Sequence, residues 1–167
     1  MISKPLNDAL NAEIGLEFFA HHQYVAMAVY FASRSLDRLA DFFYRQAEEE
    51  KEHGLMIVKY LTEVGGEVTI PAIPQPKQDF ASAEELAQAF LDQEKHVTEQ
   101  FRKMDTLALQ EGDYITHNFL QWFHAEQREE IATATKLLDL VRLAQGNLLL
   151  VEMAAGSLFE AQASGGD

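Results

Sequence analysis

The sequence EEEKEH at residues 48–53 interrupts a helical face that is otherwise largely apolar. Positions on that face recur at steps of three and four residues from Leu39 to Val64, which predicts an α-helix with one side turned to a core. Glu50 and His53 fall on this buried side and lie one turn apart, so their side chains leave the helix in the same direction. A carboxylate and an imidazole at this spacing can hold one metal ion, although a single E-x-x-H pattern also occurs on solvated helix surfaces.

Three other long helical patterns carry an acidic residue at the same kind of position. Glu17 interrupts the apolar stripe of the first helix, Glu94 that of the third and Glu130 that of the fourth. No lysine or arginine falls on the stripes near these residues. An unpaired buried carboxylate costs several kcal/mol, and four together would repel one another. We therefore infer that metal ions supply the missing positive charge. Oxygen ligands with one imidazole favour iron or manganese. Two ions bridged by shared carboxylates fit the number of inward acids.

The connections between the helices predict the fold class. A short break at residues 35–37 makes the first two helices antiparallel neighbours. Residues 65–80 contain three prolines and no helical pattern. Extended at about 3.3 Å per residue, such a segment reaches roughly 50 Å, enough to cross a bundle and start the third helix parallel to the second. We predict an all-α fold, a four-helix bundle over residues 4–145 with one long crossover loop and a short fifth helix over 147–160. The whole chain, 1–167, forms one domain.

Composition excludes several classes of function. The net charge of −14 argues against nucleic acid as a partner, because phosphate binding requires a basic face. No apolar run approaches the length of a membrane span, and the first residues do not resemble a signal peptide, so we expect a cytoplasmic protein without membrane partners. The absence of cysteine excludes disulfides, thiolate zinc sites and a cysteine nucleophile.

Several motifs together resemble those of the non-haem bacterial ferritins. They are QYVA at 23–26, YF at 30–31, QAEEE at 46–50, QWF at 121–123, EQ at 126–127 and EE at 129–130. The resemblance runs from about Leu6 to Phe159. It implies a homo-oligomer, a hollow shell of 24 copies, each with a diiron ferroxidase centre. There Fe(II) is oxidised by O₂ or peroxide, and a ferric oxyhydroxide mineral is stored inside the shell.

The resemblance also implies a ligand set for the two irons. Glu17, Glu50 and His53 would hold the first iron. Glu50 would bridge to the second, which Glu94 completes, with Glu130 nearby.

Further residues match positions around such a centre. Gln127 matches a residue close to the irons that hydrogen-bonds a water or an oxygen species. Tyr24 matches a hydrogen-bond donor to the centre and a possible electron donor, with a plain core tyrosine as the alternative. Glu49, Glu126 and Glu129 match a third, looser iron site that shares Glu130. For Glu49 and Glu129 the alternative is an ordinary solvated acid.

Two departures from related families limit the expected chemistry. Haem-binding bacterioferritins place a methionine directly after the bridging glutamate, where this chain has Lys51, and they repeat E-x-x-H in the fourth helix, where this chain has none. We therefore expect no haem. His21 lies one turn from Glu17 and either gates iron or is a polar histidine at the core edge. We expect His96 and His124 at the surface.

Two other functions remain open from the residues alone. One is a metal-free structural or signalling bundle whose inward glutamates are edge residues. The other is a diiron oxidase or peroxidase that stores no mineral. The last helix is apolar nearly all round, which favours packing against more than one surface and so favours a shell.

Overall fold

The computed structural model describes residues 2–163, with side-chain detail to residue 156, and this part of the chain contains five helices. They are α1 (Lys4–Ala32), α2 (Asp37–Glu63), α3 (Ala83–Glu111), α4 (Tyr114–Leu143) and α5 (Leu148–Ala163). α1 packs mainly on α2, and α3 mainly on α4. Phe159, at which the resemblance was expected to end, lies outside the part described in side-chain detail.

Three of the long helices begin at a polar side chain that caps them. Ser3 Oγ, Ser82 Oγ and Asp113 Oδ1 each accept a hydrogen bond from the backbone N–H three residues further on, at 3.3, 3.1 and 3.0 Å. Such caps satisfy N–H groups that have no partner within the helix. Gly112 ends α3 in the left-handed region at φ +70°.

The long connection between α2 and α3 is held along α1 by amide side chains. Asn7 and Asn11 both bond the backbone of Glu67 near the start of α1. Further along, the Gln23 amide donates to Lys77 O at 2.8 Å and accepts from Lys77 N–H at 2.9 Å. The segment therefore runs back along the bundle, and α3 starts at the opposite end from where α2 stops. The predicted all-α bundle with one long crossover and a short last helix is confirmed.

Two glycines allow close packing against α1 residues or the crossover. A Cβ on Gly15 would lie 3.0 Å from Pro71 Cγ, so a larger side chain there would push the crossover outward. A Cβ on Gly54 would lie 2.8 Å from Cε1 of Phe18, so a larger side chain at this position of α2 would displace the Phe18 ring.

The apolar core consists of two clusters separated along the bundle axis. The first cluster takes residues 20–31 of α1, 36–47 of α2, 83–91 of α3 and 134–141 of α4. The second takes residues 10–14, 57–61, 97–104 and 120–123 of the same helices. The residues between these ranges form a polar layer, and it contains all four inward acids that the sequence pattern singles out. The four helices therefore bring those acids to one level of the bundle.

The fifth helix supplies the cap that α2 lacks. Leu36, at the N-cap of α2, makes no side-chain capping bond. Instead the carboxylate of Glu152 in α5 accepts hydrogen bonds from the N–H groups of Arg38 (2.8 Å) and Leu39 (3.1 Å). A negative charge at this end of a helix also interacts favourably with its dipole. Among the described residues, no helix combines the length and the apolar character that a bilayer span requires.

Candidate metal centre

The first set of ligand-type side chains joins α1 to α2. Glu17, Glu50 and His53 each offer a ligand atom within 4.8 Å of the others, and no other such trio occurs in the described part of the chain. His53 Nδ1 lies 3.6 Å from Glu50 Oε2 and 3.8 Å from Glu17 Oε2. These distances are too long for hydrogen bonds. Two atoms that bind one ion at about 2.1 Å lie roughly 3.0–4.2 Å apart, so the three side chains fit the ligand set of one metal ion.

The second set is centred on Glu94 of α3. The Tyr24 hydroxyl donates a hydrogen bond to Glu94 Oε1, and Gln127 Nε2 donates one to Oε2 at 3.0 Å. Gln127, which the resemblance assigned to a water or an oxygen species, thus bonds a carboxylate here. Glu130 of α4 is 1% exposed and completes the layer. The two donors fix the orientation of the Glu94 carboxylate.

Several buried oxygens in the layer lack a partner. Both carboxylate oxygens of Glu17, Oε1 of Glu50 and Oε2 of Glu130 have no hydrogen-bond partner within the described part of the chain. Nearly all buried polar groups in proteins have one. No lysine or arginine is buried among the described residues. The donor set, carboxylate oxygens with one imidazole, therefore suits hard or borderline cations.

The electrostatics of the layer follow from burial and like charge. Burial, with repulsion from Glu17, raises the pKa of Glu50 to about 8. Burial, with repulsion from Glu50, raises the pKa of Glu94 to about 8. Burial likewise raises the pKa of Glu17. It also raises the pKa of Glu130 well above the ordinary value. Burial lowers the pKa of His53, but the adjacent carboxylates of Glu17 and Glu50 outweigh this and raise it to about 11. Without metal, protons take the place of the missing positive charge.

One further acid, Glu13, is buried beside the centre although the sequence pattern did not single it out. It is 1% exposed, and burial, with repulsion from Glu50, raises its pKa to about 8. It lies four residues before Glu17 on the buried side of α1. The apolar stripe predicted for α1 runs through Leu10 and Ile14 and excludes Glu13. The face that α1 buries is wider than this stripe and includes Glu13.

The acids assigned to a third site are more exposed. Glu49 is half-buried and accepts a hydrogen bond from Gln46, and burial raises its pKa. Glu126, also half-buried, is close enough to add to that shift. The Glu129 side chain is 61% exposed, and its carboxylate lies 3.7 Å from Arg128. The structure thus places Glu49 and Glu126 near each other and leaves Glu129 on the outer surface of α4.

The histidines beside the centre have partners of their own. His21 Nδ1 lies 2.6 Å from the carbonyl oxygen of Ala47, which holds the ring between α1 and α2. His117 Nδ1 and His124 Nε2 lie 2.6 and 3.1 Å from the two carboxylate oxygens of Asp105. His124, predicted at the surface, is partly exposed: its side chain is 26% exposed and packs toward this acid of α3.

Comparison with known proteins identifies the family. The ferritin family model, described as a ferritin-like domain, matches residues 7–144. The chain belongs to the ferritin family. It is 41% identical to ferritin BfrB of Mycolicibacterium smegmatis over 140 residues, 84% of this chain and 77% of the relative. It is 42% identical to a bacterial non-heme ferritin of Staphylococcus aureus over 132 residues, 79% of this chain and 80% of the relative.

Solved structures agree with this assignment. An open-pore ferritin from the hyperthermophilic archaeon Archaeoglobus fulgidus superposes on this ferritin with a TM-score of 0.90 at 30% identity, covering 95% of this chain and 98% of that one. An engineered closed form of the same archaeal ferritin gives a TM-score of 0.89. The resemblance to bacterial non-haem ferritins that the sequence motifs indicated is confirmed.

Proposed function

We propose that this ferritin stores iron and that the polar layer is its ferroxidase centre, where two Fe(II) ions are oxidised by O₂ or peroxide. The observation that carries the proposal is the set of buried oxygens of Glu17, Glu50 and Glu130 that have no partner among the described residues, next to His53. In a family whose relatives are named ferritins, iron is the cation that such a site would take.

The two iron positions follow from the grouping of the side chains. Glu17, Glu50 and His53 bind the first Fe(II), in agreement with their mutual distances. Glu94 and Glu130 bind the second, and Glu50 bridges the two. Four carboxylates and a neutral imidazole balance the charge of two divalent ions. The protons that the acids hold in the absence of iron leave as the ions enter.

The protein side chains prepare the centre for electron transfer to the oxidant. Each Fe(II) gives one electron, so that two Fe(II), one O₂ and two protons yield two Fe(III) and one H₂O₂. Tyr24 and Gln127 hold Glu94 in place during this change. The fixed carboxylates stabilise the higher charge of Fe(III) more than that of Fe(II), which favours oxidation. Glu49 and Glu126, with Glu129, form the looser third site through which iron leaves the pair.

Storage requires a shell, and we propose that this ferritin assembles into 24 copies in the cytoplasm. α5 carries apolar side chains on its outer side, with Leu149 62%, Leu150 53% and Met153 66% exposed in the single chain. Contact with further copies would remove them from water. We propose that no haem binds, because Lys51 follows the bridging glutamate and pairs with Glu48.

Stopped-flow oxidation of Fe(II) tests this function. Replacing both Glu50 and His53 by alanine removes two of the three ligands of the first position. We expect loss of the fast oxidation of about two irons per chain, with the assembled mass unchanged. Glu52→Ala, at an exposed position of the same helix, is the matched control and should keep the fast phase. Should the double variant fail to assemble, Glu94→Gln tests the second position with a side chain of the same size. Fast oxidation in variants that assemble normally would contradict the assignment.

A further inference from the structure

Glu13 is a buried acid that the two-iron centre does not use. Its side chain is 1% exposed, and Oε1 has no hydrogen-bond partner among the described residues. Glu17, four residues further on, is fully buried, and neither of its carboxylate oxygens has such a partner. Side chains at this spacing are neighbours on a helix, with Cβ atoms about 5–6 Å apart. Two unpaired carboxylates therefore lie one turn apart on the buried side of α1.

The position of Glu13 separates it from the other acids around the centre. Leu10 and Ile14 beside it belong to the second apolar cluster, so Glu13 extends the polar layer along α1 into that cluster. Glu13 therefore lies on the side of Glu17 that faces the second cluster.

Charge balance gives Glu13 no role in a two-iron centre. Two Fe(II) ions already balance the carboxylates of Glu17, Glu50, Glu94 and Glu130. The carboxyl of Glu13 lies in a region from which lysine and arginine are absent among the described buried residues, so only a proton or a further cation can balance its charge. Repulsion from Glu50 acts on Glu13, and repulsion from Glu13 acts on Glu17. A further cation between Glu13 and Glu17 would offset the repulsion between the two side chains and give their unpartnered oxygens a partner.

We propose that Glu13 and Glu17 together bind an additional Fe(II), about one helical turn along α1 from the first iron position. Glu17 is shared between the two positions, and water completes the coordination, as hard cations commonly retain several waters. The ion would bind there before it enters the centre, and the shared ligand Glu17 would remain bound to it as it moves to Glu50 and His53. This inference rests on the proposed function of the centre as an Fe(II) site.

Anaerobic Fe(II) binding to the full chain tests the inference without requiring turnover. Crystals soaked with Fe(II) under anaerobic conditions are measured on both sides of the iron absorption edge, so that iron positions appear in anomalous difference maps. Calorimetric titration counts the Fe(II) bound per chain in solution. The variants are Glu13→Gln, which keeps the size of the side chain and removes its charge, and Glu52→Gln as an exposed control.

We expect an iron peak between Glu13 and Glu17 in the wild type and in Glu52→Gln. In Glu13→Gln this peak should vanish and the count should fall by one Fe(II) per chain, while the peak at Glu50 and His53 remains. The inference would be overturned by a wild-type map with iron at Glu50 and His53 but none near Glu13, together with the same number of Fe(II) bound per chain in wild type and Glu13→Gln. Glu13 would then be a protonated core acid. Absence of iron from both places would overturn the proposed function as well.

Discussion

Glu13→Gln should change how the stability of the metal-free protein depends on pH. Burial and repulsion from Glu50 raise the pKa of Glu13 from 4.5 to about 8. The folded chain therefore keeps a proton that the unfolded chain releases above pH 4.5. Stability contributed by this proton is complete below pH 4.5 and is lost as the pH rises toward 8. Glutamine does not titrate, so the variant should not show this loss.

The size of the stability difference follows from the raised pKa of Glu13 in the folded chain. Between pH 4.5 and 7.5 the unfolded carboxyl loses its proton while the folded one largely keeps it. Three pH units at about 1.4 kcal/mol each give an upper bound of about 4 kcal/mol. Glu13→Gln should thus match the wild type near pH 4.5 and gain stability relative to it as the pH rises. For a chain of this length, 1 kcal/mol moves Tm by roughly 2–4 °C, so the two melting curves should separate by several degrees.

The assay is thermal unfolding of the chelator-treated protein at several pH values from 4.5 to 7.5, with both proteins at equal concentration because assembly affects Tm. Glu52→Gln, at an exposed position, controls for the loss of a charge. A difference in Tm between Glu13→Gln and wild type that stays constant across this pH range would refute the reasoning. It would mean that Glu13 does not hold a proton in the folded chain.

Three further substitutions test how the bundle is held together. Glu152→Gln weakens the cap that α5 gives α2 and should cost about 1 kcal/mol, measured as a lower Tm; an unchanged Tm would exclude a capping role. Gly54→Ala places a Cβ 2.8 Å from Phe18 and should cost about 1–3 kcal/mol, and Phe18→Leu in the same chain should restore much of this. Gln23→Leu removes two hydrogen bonds to the Lys77 backbone, and hydrogen exchange of the Lys77 amide should become faster. Unaltered exchange of this amide would mean that Gln23 does not hold the crossover along α1.

Much of the fold was predictable because its signals are local. Caps at Ser3, Ser82 and Asp113 are read from a few neighbouring residues. The crossover follows from its length and prolines, and an acid on an apolar stripe is visible within one helix. These features depend on the period of the helix and on turn chemistry, both of which the sequence carries directly.

What could not be predicted depends on partners distant in the chain. The cap of α2 comes from Glu152, more than a hundred residues later. The contact of His124 with Asp105 joins two neighbouring helices. Glu13 was missed for a different reason, since a stripe of one residue per turn is narrower than the face that two packed helices bury. In the site, spacing predicted which acids point inward, and the resemblance predicted Tyr24 as a donor to the centre. That Tyr24 and Gln127 both donate to Glu94 appears only once three helices are assembled.

The most direct test of the proposed storage function is anaerobic loading with Fe(II) followed by exposure to air. Ferric absorbance is followed on the same sample whose mass is read by size-exclusion chromatography with light scattering. The account predicts fast oxidation of about two irons per chain, then slower uptake of many more into a particle of roughly 24 chains. A small oligomer that oxidises iron and retains none would indicate a diiron oxidase instead. No oxidation above that in buffer would contradict the account and favour a metal-free bundle.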